Sequence, residues 1–174
     1  LLQFQRDALE MIAIGRPTDA ILDGLCELAE AMVPNSVGSI MLLDADGTQL
    51  LVRSAPNIPA EGVEALNGLQ PGPDAGSCGT AVFTDEPVFV SNILTDVRWA
   101  RLIHIAERFN LQACWSMPIR GANNRAIGSF ALTSFEKRPP NPFQKRLLDT
   151  ATYLAEIVLE REKHGESLIT AGVA

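Results

Sequence analysis

The chain has 174 residues, 47% of them hydrophobic and 20% charged, with a formal net charge of -7; it can bury one core without disulfides or metals and is too short for two. The acidic balance excludes a nucleic-acid surface, which needs clustered Lys and Arg; the local group Lys137, Arg138, Lys145 and Arg146 is flanked by acids and reads as a solvated helix start. No apolar run reaches the roughly 18 to 20 residues of a bilayer span, so no membrane contact is expected, and Cys26, Cys78 and Cys114, without C-x-x-C spacing, point to a reducing, cytoplasmic setting.

Residues 1 to 16 are expected to form a linker helix with apolar positions Leu2, Leu9, Ile12 and Ala13, broken at Gly15-Arg16-Pro17. Thr18 is the expected N-cap of a second helix running to about Val33 and burying Ile21, Leu22, Leu25, Cys26, Leu28 and Met32. Pro34-Asn35 stops it. Val37 to Leu43 read as an apolar strand, Asp44-Ala45-Asp46-Gly47 as a hairpin turn, and Leu50 to Ser54 as the partner strand. Residues 55 to 77 hold four prolines around a short helical pattern from Pro59 to Leu69, a connection long enough to suggest a functional loop.

A helix from about Ser77 to Thr84 and a strand from Val88 to Val90 follow; Ile93 to Arg98 read as loop and Trp99 to Phe109 as helix by the spacing of Leu102, Ile105, Ala106 and Phe109. Gln112 to Ile119 and Ala126 to Ser134 are expected to pair as a hairpin across Gly121-Ala122-Asn123-Asn124. The last helix, 142 to 163, carries two apolar stripes, Phe143, Leu147, Leu154 and Val158 beside Leu148, Ala151, Ala155 and Leu159. One stripe covers a sheet. The other needs the first helix or that helix's copy in a second chain, or both merge into one broad face, and a homodimer through the terminal helices is the expectation. Residues 164 to 174 read as a tail, and the whole as a piece of a longer protein. The element order predicts an α+β fold: an antiparallel sheet with the terminal helices on one face and short helices with loops on the other.

Five segments then resemble the GAF domains, sensory and regulatory modules of signalling proteins: Ser39-Ile40-Met41-Leu42-Leu43-Asp44, Gly76-Ser77-Cys78-Gly79-Thr80-Ala81, Pro87-Val88-Phe89-Val90-Ser91-Asn92-Ile93, Met117-Pro118-Ile119 and Ile127-Gly128-Ser129-Phe130-Ala131-Leu132. The resemblance covers about residues 4 to 162, with the domain proper at 17 to 163, and implies a GAF-like (profilin-like) fold. With Ala113-Cys114-Trp115-Ser116 before Met-Pro-Ile, the chain is similar to GAF domains of bacterial histidine kinases and cyclic-di-GMP enzymes, in which the final helix leads to an output domain. The resemblance implies an architecture and an unidentified small ligand.

Strand alternation puts Cys114 and Ser116 on one side and Ala113, Trp115 and Met117 on the other. With Ser129 from the neighbouring strand, the small polar side is expected to floor a pocket, against the bland alternative of a filled interior. The expected ligand-binding residues are Ser39, Met41, Cys78, Ala81, Ile93, Trp99, His104, Cys114, Ser116 and Ser129. Cys78 sits at a helix N-terminus, where partial positive charge activates a thiol; a small packing residue is the plainer role.

A GAF branch that reduces free methionine sulfoxide has a cysteine in a similar Gly-x-Cys-Gly turn. Its nucleophile, however, lies in the loop before the next strand, whereas Cys114 falls inside that strand. A redox enzyme using Cys78 and Cys114 is the alternative, and a purely structural dimerisation module a third possibility. Bilin attachment uses a cysteine commonly followed by histidine, but Ile103 precedes His104, and haem would have only His104 as a plausible axial ligand. These departures argue against both groups. No cofactor, phosphate loop, catalytic set or metal-ligand set is evident.

Overall fold

The computed structural model describes the backbone of residues 1–173 and the side chains of residues 1–165. In chain order the elements are α1 (Leu2–Ala13), α2 (Thr18–Met32), β1 (Ser36–Leu43), β2 (Leu50–Ser54), α3 (Ala60–Leu66), α4 (Gly76–Thr84), β3 (Val88–Val90), a 3-10 helix (Val97–Leu102), α5 (Ile103–Phe109), β4 (Ala113–Arg120), β5 (Ala126–Ser134) and α6 (Pro142–Val173). The five strands form one sheet in the order β2-β1-β5-β4-β3, every neighbouring pair antiparallel. The fold is α+β, as the order of elements predicts.

The two sheet faces divide as strand alternation requires. Ile40, Trp115, Met117, Ile119, Phe130 and Leu132 point to α1, α2 and α6 and share a core with Leu22, Leu25, Leu147 and Ala155. On the opposite face, α4, the 3-10 helix and α5 pack Ala81, Trp99 and Ala106 against Val90, Cys114 and Ala131. Gly38 lets α2 lie close on β1, since a Cβ there would stand 3.0 Å from Cys26 Cβ. Cys26 is fully buried beneath this contact, 3.7 Å from the Ser54 hydroxyl, and burial pushes its thiol up to about 12.

Several sequence expectations change in detail. In α1 it is Phe4 and Ala8 that are buried, one turn apart and facing α2 and α6, whereas Leu2, Leu9 and Ala13 lie on the solvent side and Ile12 is half-buried. Thr18 does not cap α2: Pro17, extended at φ -55° and ψ 148°, occupies the cap position, and no side-chain cap bond forms. Leu28 and Met32 are only half-buried, and Ala29 takes the inward position. The expected loop holds over residues 93–96, but its last two residues, Val97 and Arg98, open the 3-10 helix, because the Asp96 carboxylate accepts the Arg98 N–H at 2.9 Å and starts a turn there.

Both α6 stripes are buried within one chain. Leu147, Leu148, Ala151, Leu154, Ala155, Val158 and Leu159 all belong to the core shared with α2 and the sheet, so they form one broad face, with Phe143 half-buried at its edge. The helix continues past Lys163 to Val173, through the residues expected as tail. Gly165 costs a helix only about 1 kcal/mol relative to Ala, and no proline follows it. Ala174 lies outside the described residues.

Candidate functional site

Between the sheet and the layer of α3, α4, the 3-10 helix and α5 lies a cavity of about 160 Å³. Its floor is the sheet: Val37, Ser39 and Met41 of β1, Cys114 of β4 and Thr133 of β5, with Phe135 just beyond. Its roof is Ile58, Gly62, Leu66 and Leu69 around α3, and its wall is Ser77 and Cys78 of α4 with Trp99, Leu102, Ile105, Phe109 and Leu111.

Glycines set how closely these pieces approach. Gly76 opens α4 at φ +67°, and a Cβ there would stand 2.9 Å from Leu102 Cδ1. Gly62 lets α3 settle onto Ile58, whose Cγ2 would be 2.8 Å from an added Cβ. The Ser77 hydroxyl then ties three elements together. It accepts the Trp99 indole N–H at 3.0 Å and donates to the Cys114 carbonyl at 3.0 Å, joining α4, the 3-10 helix and β4.

Two thiols meet at one end of the floor. Cys78 Sγ is 3.2 Å from Ser116 Oγ; Cys114 Sγ is 3.9 Å from the same hydroxyl and 3.5 Å from Thr133 Oγ1. The neighbouring Cys114 thiol and the hydrogen-bonded Ser116 hydroxyl hold the Cys78 thiol below its ordinary value despite its burial. Cys114, which stabilises its neighbour's thiolate and is itself buried, is pushed upward. The Ser129 hydroxyl is buried and has no hydrogen-bond partner among the described residues.

Of the residues expected at a binding site, Ser39, Met41, Cys78, Trp99 and Cys114 line the cavity together. Ser116 and Ser129 do not; α4 lies over them and Cys78 covers Ser116, so Thr133 completes the floor beside Cys114. Ala81 and Ile93 are fully buried in the packing around α4. His104 is exposed, because α5 turns Ile105 and Phe109 inward and its histidine outward. Much of the apolar wall was not anticipated, although the spacing of Leu102, Ile105 and Phe109 and the alternation of Val37, Ser39 and Met41 both signal it.

Outside the cavity, loop 67–75 and the 3-10 helix border a wider surface groove. Leu66, Leu69, Trp99, Leu102 and Ile105 line both spaces and form the partition between them. Arg101 reaches toward Asp74 at the groove, 3.5 Å between Nε and Oδ2. Among the described residues, no three His, Cys, Asp or Glu side chains are grouped as metal ligands.

A family model for the GAF domain matches residues 15–160. The chain belongs to the GAF domain family. This GAF domain is 32% identical over 168 residues to the Methyl sulfide methyltransferase-associated sensor of Methanosarcina acetivorans, a match covering 97% of the chain but only 17% of that protein. It is similar in fold to the GAF domain from a phosphoenolpyruvate-protein phosphotransferase of Coxiella burnetii, with TM-score 0.73, 15% identity and coverage of 94% and 96% of the two chains. It is also similar to a type II free methionine-R-sulfoxide reductase from Thermoplasma acidophilum, with TM-score 0.65, 15% identity and coverage of 82% and 93%. At such identities the structural likenesses establish the GAF fold alone.

Proposed function

We propose that this GAF domain is the sensory unit of a cytoplasmic signalling protein, binding a small molecule in the cavity and passing its state to α6. The observation that carries this reading is the cavity's position on the sheet face opposite α6. The same strands supply Met41 and Cys114 to the cavity and Ile40 and Trp115 to the terminal-helix core. A ligand that fits one arrangement of α3 and α5 better than another shifts their populations, and the sheet conveys the change to α6. The sensor among the similar proteins supports the same direction.

The test is hydrogen exchange along α6, with and without a ligand found by native mass spectrometry or screening. Altered protection in α6 on binding is expected; a bound ligand that leaves α6 unchanged overturns the transmission.

A homodimer through the terminal helices belongs to this proposal. Because the two α6 stripes are buried within the chain, the pairing surface would use the exposed Leu2 and Leu9 of α1 and Tyr153 and Ile157 of α6. Sedimentation should show a dimer that Tyr153→Glu with Ile157→Glu dissociates, and a wild-type monomer at high concentration counts against it.

The coupled thiols favour a second reading, a redox enzyme of the free methionine sulfoxide reductase type using Cys78 and Cys114. Against it, among the described residues no Asp, Glu, Lys, Arg or His side chain lines the cavity, so the carboxylate of a free amino acid has no cationic partner there. Turnover of free methionine sulfoxide that Cys78→Ser abolishes would establish that reading instead.

A further inference from the structure

We propose that the inner cavity takes a neutral, largely apolar molecule of about six to ten non-hydrogen atoms carrying at most one hydrogen-bonding group, and that it rejects ions. This rests on the sensory reading above and narrows it to a ligand class.

The first observation is charge. Among the described residues, no Asp, Glu, Lys, Arg or His side chain lines the cavity. An anion entering it would lose its hydration with no cationic side chain to replace the water, and a cation would meet only the Cys78 sulfur, which is uncharged while its thiol is protonated. Nucleotides, phosphorylated signals and zwitterionic amino acids are therefore poorly matched, whatever their size.

The second is size. A cavity of about 160 Å³ is smaller than the roughly 300–1,000 Å³ typical of drug-sized ligand pockets. It is close to the ~150 Å³ of an apolar cavity that admits benzene or xenon and otherwise stays dry.

The third is the supply of polar partners. Ser77 already accepts from Trp99 and donates to the Cys114 carbonyl, Thr133 Oγ1 is engaged with Cys114 Sγ, and Asn57, which donates to Glu30 Oε2, is exposed to solvent. Ser39 differs. Its hydroxyl belongs to a residue only 4% exposed on the cavity floor and makes no side-chain hydrogen bond to another described residue. A ligand hydroxyl or ether oxygen would satisfy it. The cavity shares Leu66 and Leu102 with the outer groove, and both side chains can change rotamer without breaking a hydrogen bond.

The experiment titrates the whole chain at about pH 5.5, where the Cys78 thiol is protonated, with four probes of similar size: benzene and phenol, which are neutral, and benzoate and benzylammonium, which are charged. Melting temperature and two-dimensional NMR shifts report binding, and the rate of Cys78 alkylation by N-ethylmaleimide in the wild-type protein reports its location. Benzene and phenol should bind and slow Cys78 alkylation at least severalfold, and the two ions should bind at least a hundredfold more weakly. Ser39→Ala should weaken phenol by up to about tenfold, one neutral hydrogen bond, while leaving benzene unchanged.

Binding of benzoate or benzylammonium as tight as that of phenol, no binding of either neutral probe, or binding that leaves Cys78 alkylation unaffected would each overturn the proposal. Neutral probes that bind and protect Cys78 while α6 exchange stays constant would instead leave the ligand class standing and remove the sensory reading.

Discussion

The indole N–H of Trp99 is bonded to the Ser77 hydroxyl at 3.0 Å, with both residues almost fully buried. Through Ser77, the 3-10 helix that walls the cavity is attached to the backbone of β4. Ser77→Ala removes the acceptor of a buried indole donor and the donor to the Cys114 carbonyl. It is expected to destabilise the fold by about 1–3 kcal/mol. Denaturant unfolding measures the loss, and altered Trp99 fluorescence in the native state should accompany it.

The three thiols should differ in reactivity by position. Cys78 opens onto the cavity with its thiol held below the ordinary value of 9.0, while Cys26 is buried and pushed up to about 12. The thiolate is the reactive form, so Cys78 alkylation should show a midpoint below pH 9.0 and Cys26 should stay unmodified in the native state. Ser116→Ala removes a bond to the thiolate and should move the Cys78 midpoint upward. Mass spectrometry of alkylated peptides across pH checks all three expectations.

Asp96 starts the 3-10 helix and is also paired with Arg98, 2.8 Å between Oδ2 and Nη2. Arg98 holds its carboxyl below the usual carboxylate range. A carboxyl whose folded value lies below its unfolded one contributes stability above the unfolded value and loses it as pH falls through the folded value. Asp96→Asn should therefore be less stable than wild type at neutral pH, by about 1 kcal/mol for a partly exposed cap and ion pair. The gap should close as the pH drops below the wild-type carboxyl's titration. Paired melts at neutral and strongly acidic pH test the sign.

Gly128 is required where β5 crosses β1. A Cβ there would collide with the Met41 carbonyl oxygen and stand 2.7 Å from Leu42 Cδ2. β5 is flanked there by both of its neighbours, Gly128 pairing with Leu42 of β1 and with Ile119 of β4. Gly128→Ala should cost roughly 1–3 kcal/mol or more, as overpacking does, whereas Gly47→Asn, at a turn with open space and φ +70°, should be nearly neutral. Chemical denaturation of the two variants distinguishes a packing requirement from a general dependence on glycine.

Apolar periodicity and turn residues are local properties, so they place the main elements in order and say which face of each strand points where. Trp115 and Cys114 are assigned to opposite sides by alternation, and the hairpins at Gly47 and Gly121 follow from turn chemistry. Which elements cover one another follows from packing alone. Ser116 and Ser129 share the cavity's sheet face, yet α4 lies over them and Cys78 takes their place at its edge. The two α6 stripes read as two surfaces and prove to be one, since α2 and the sheet close on the helix together. Leu2 outranks Phe4 in no local respect, and Phe4 is inside because α2 and α6 stand on its side of the helix. Packing between segments distant in sequence is settled by shape and volume at contact, and these do not exist until the chain has folded.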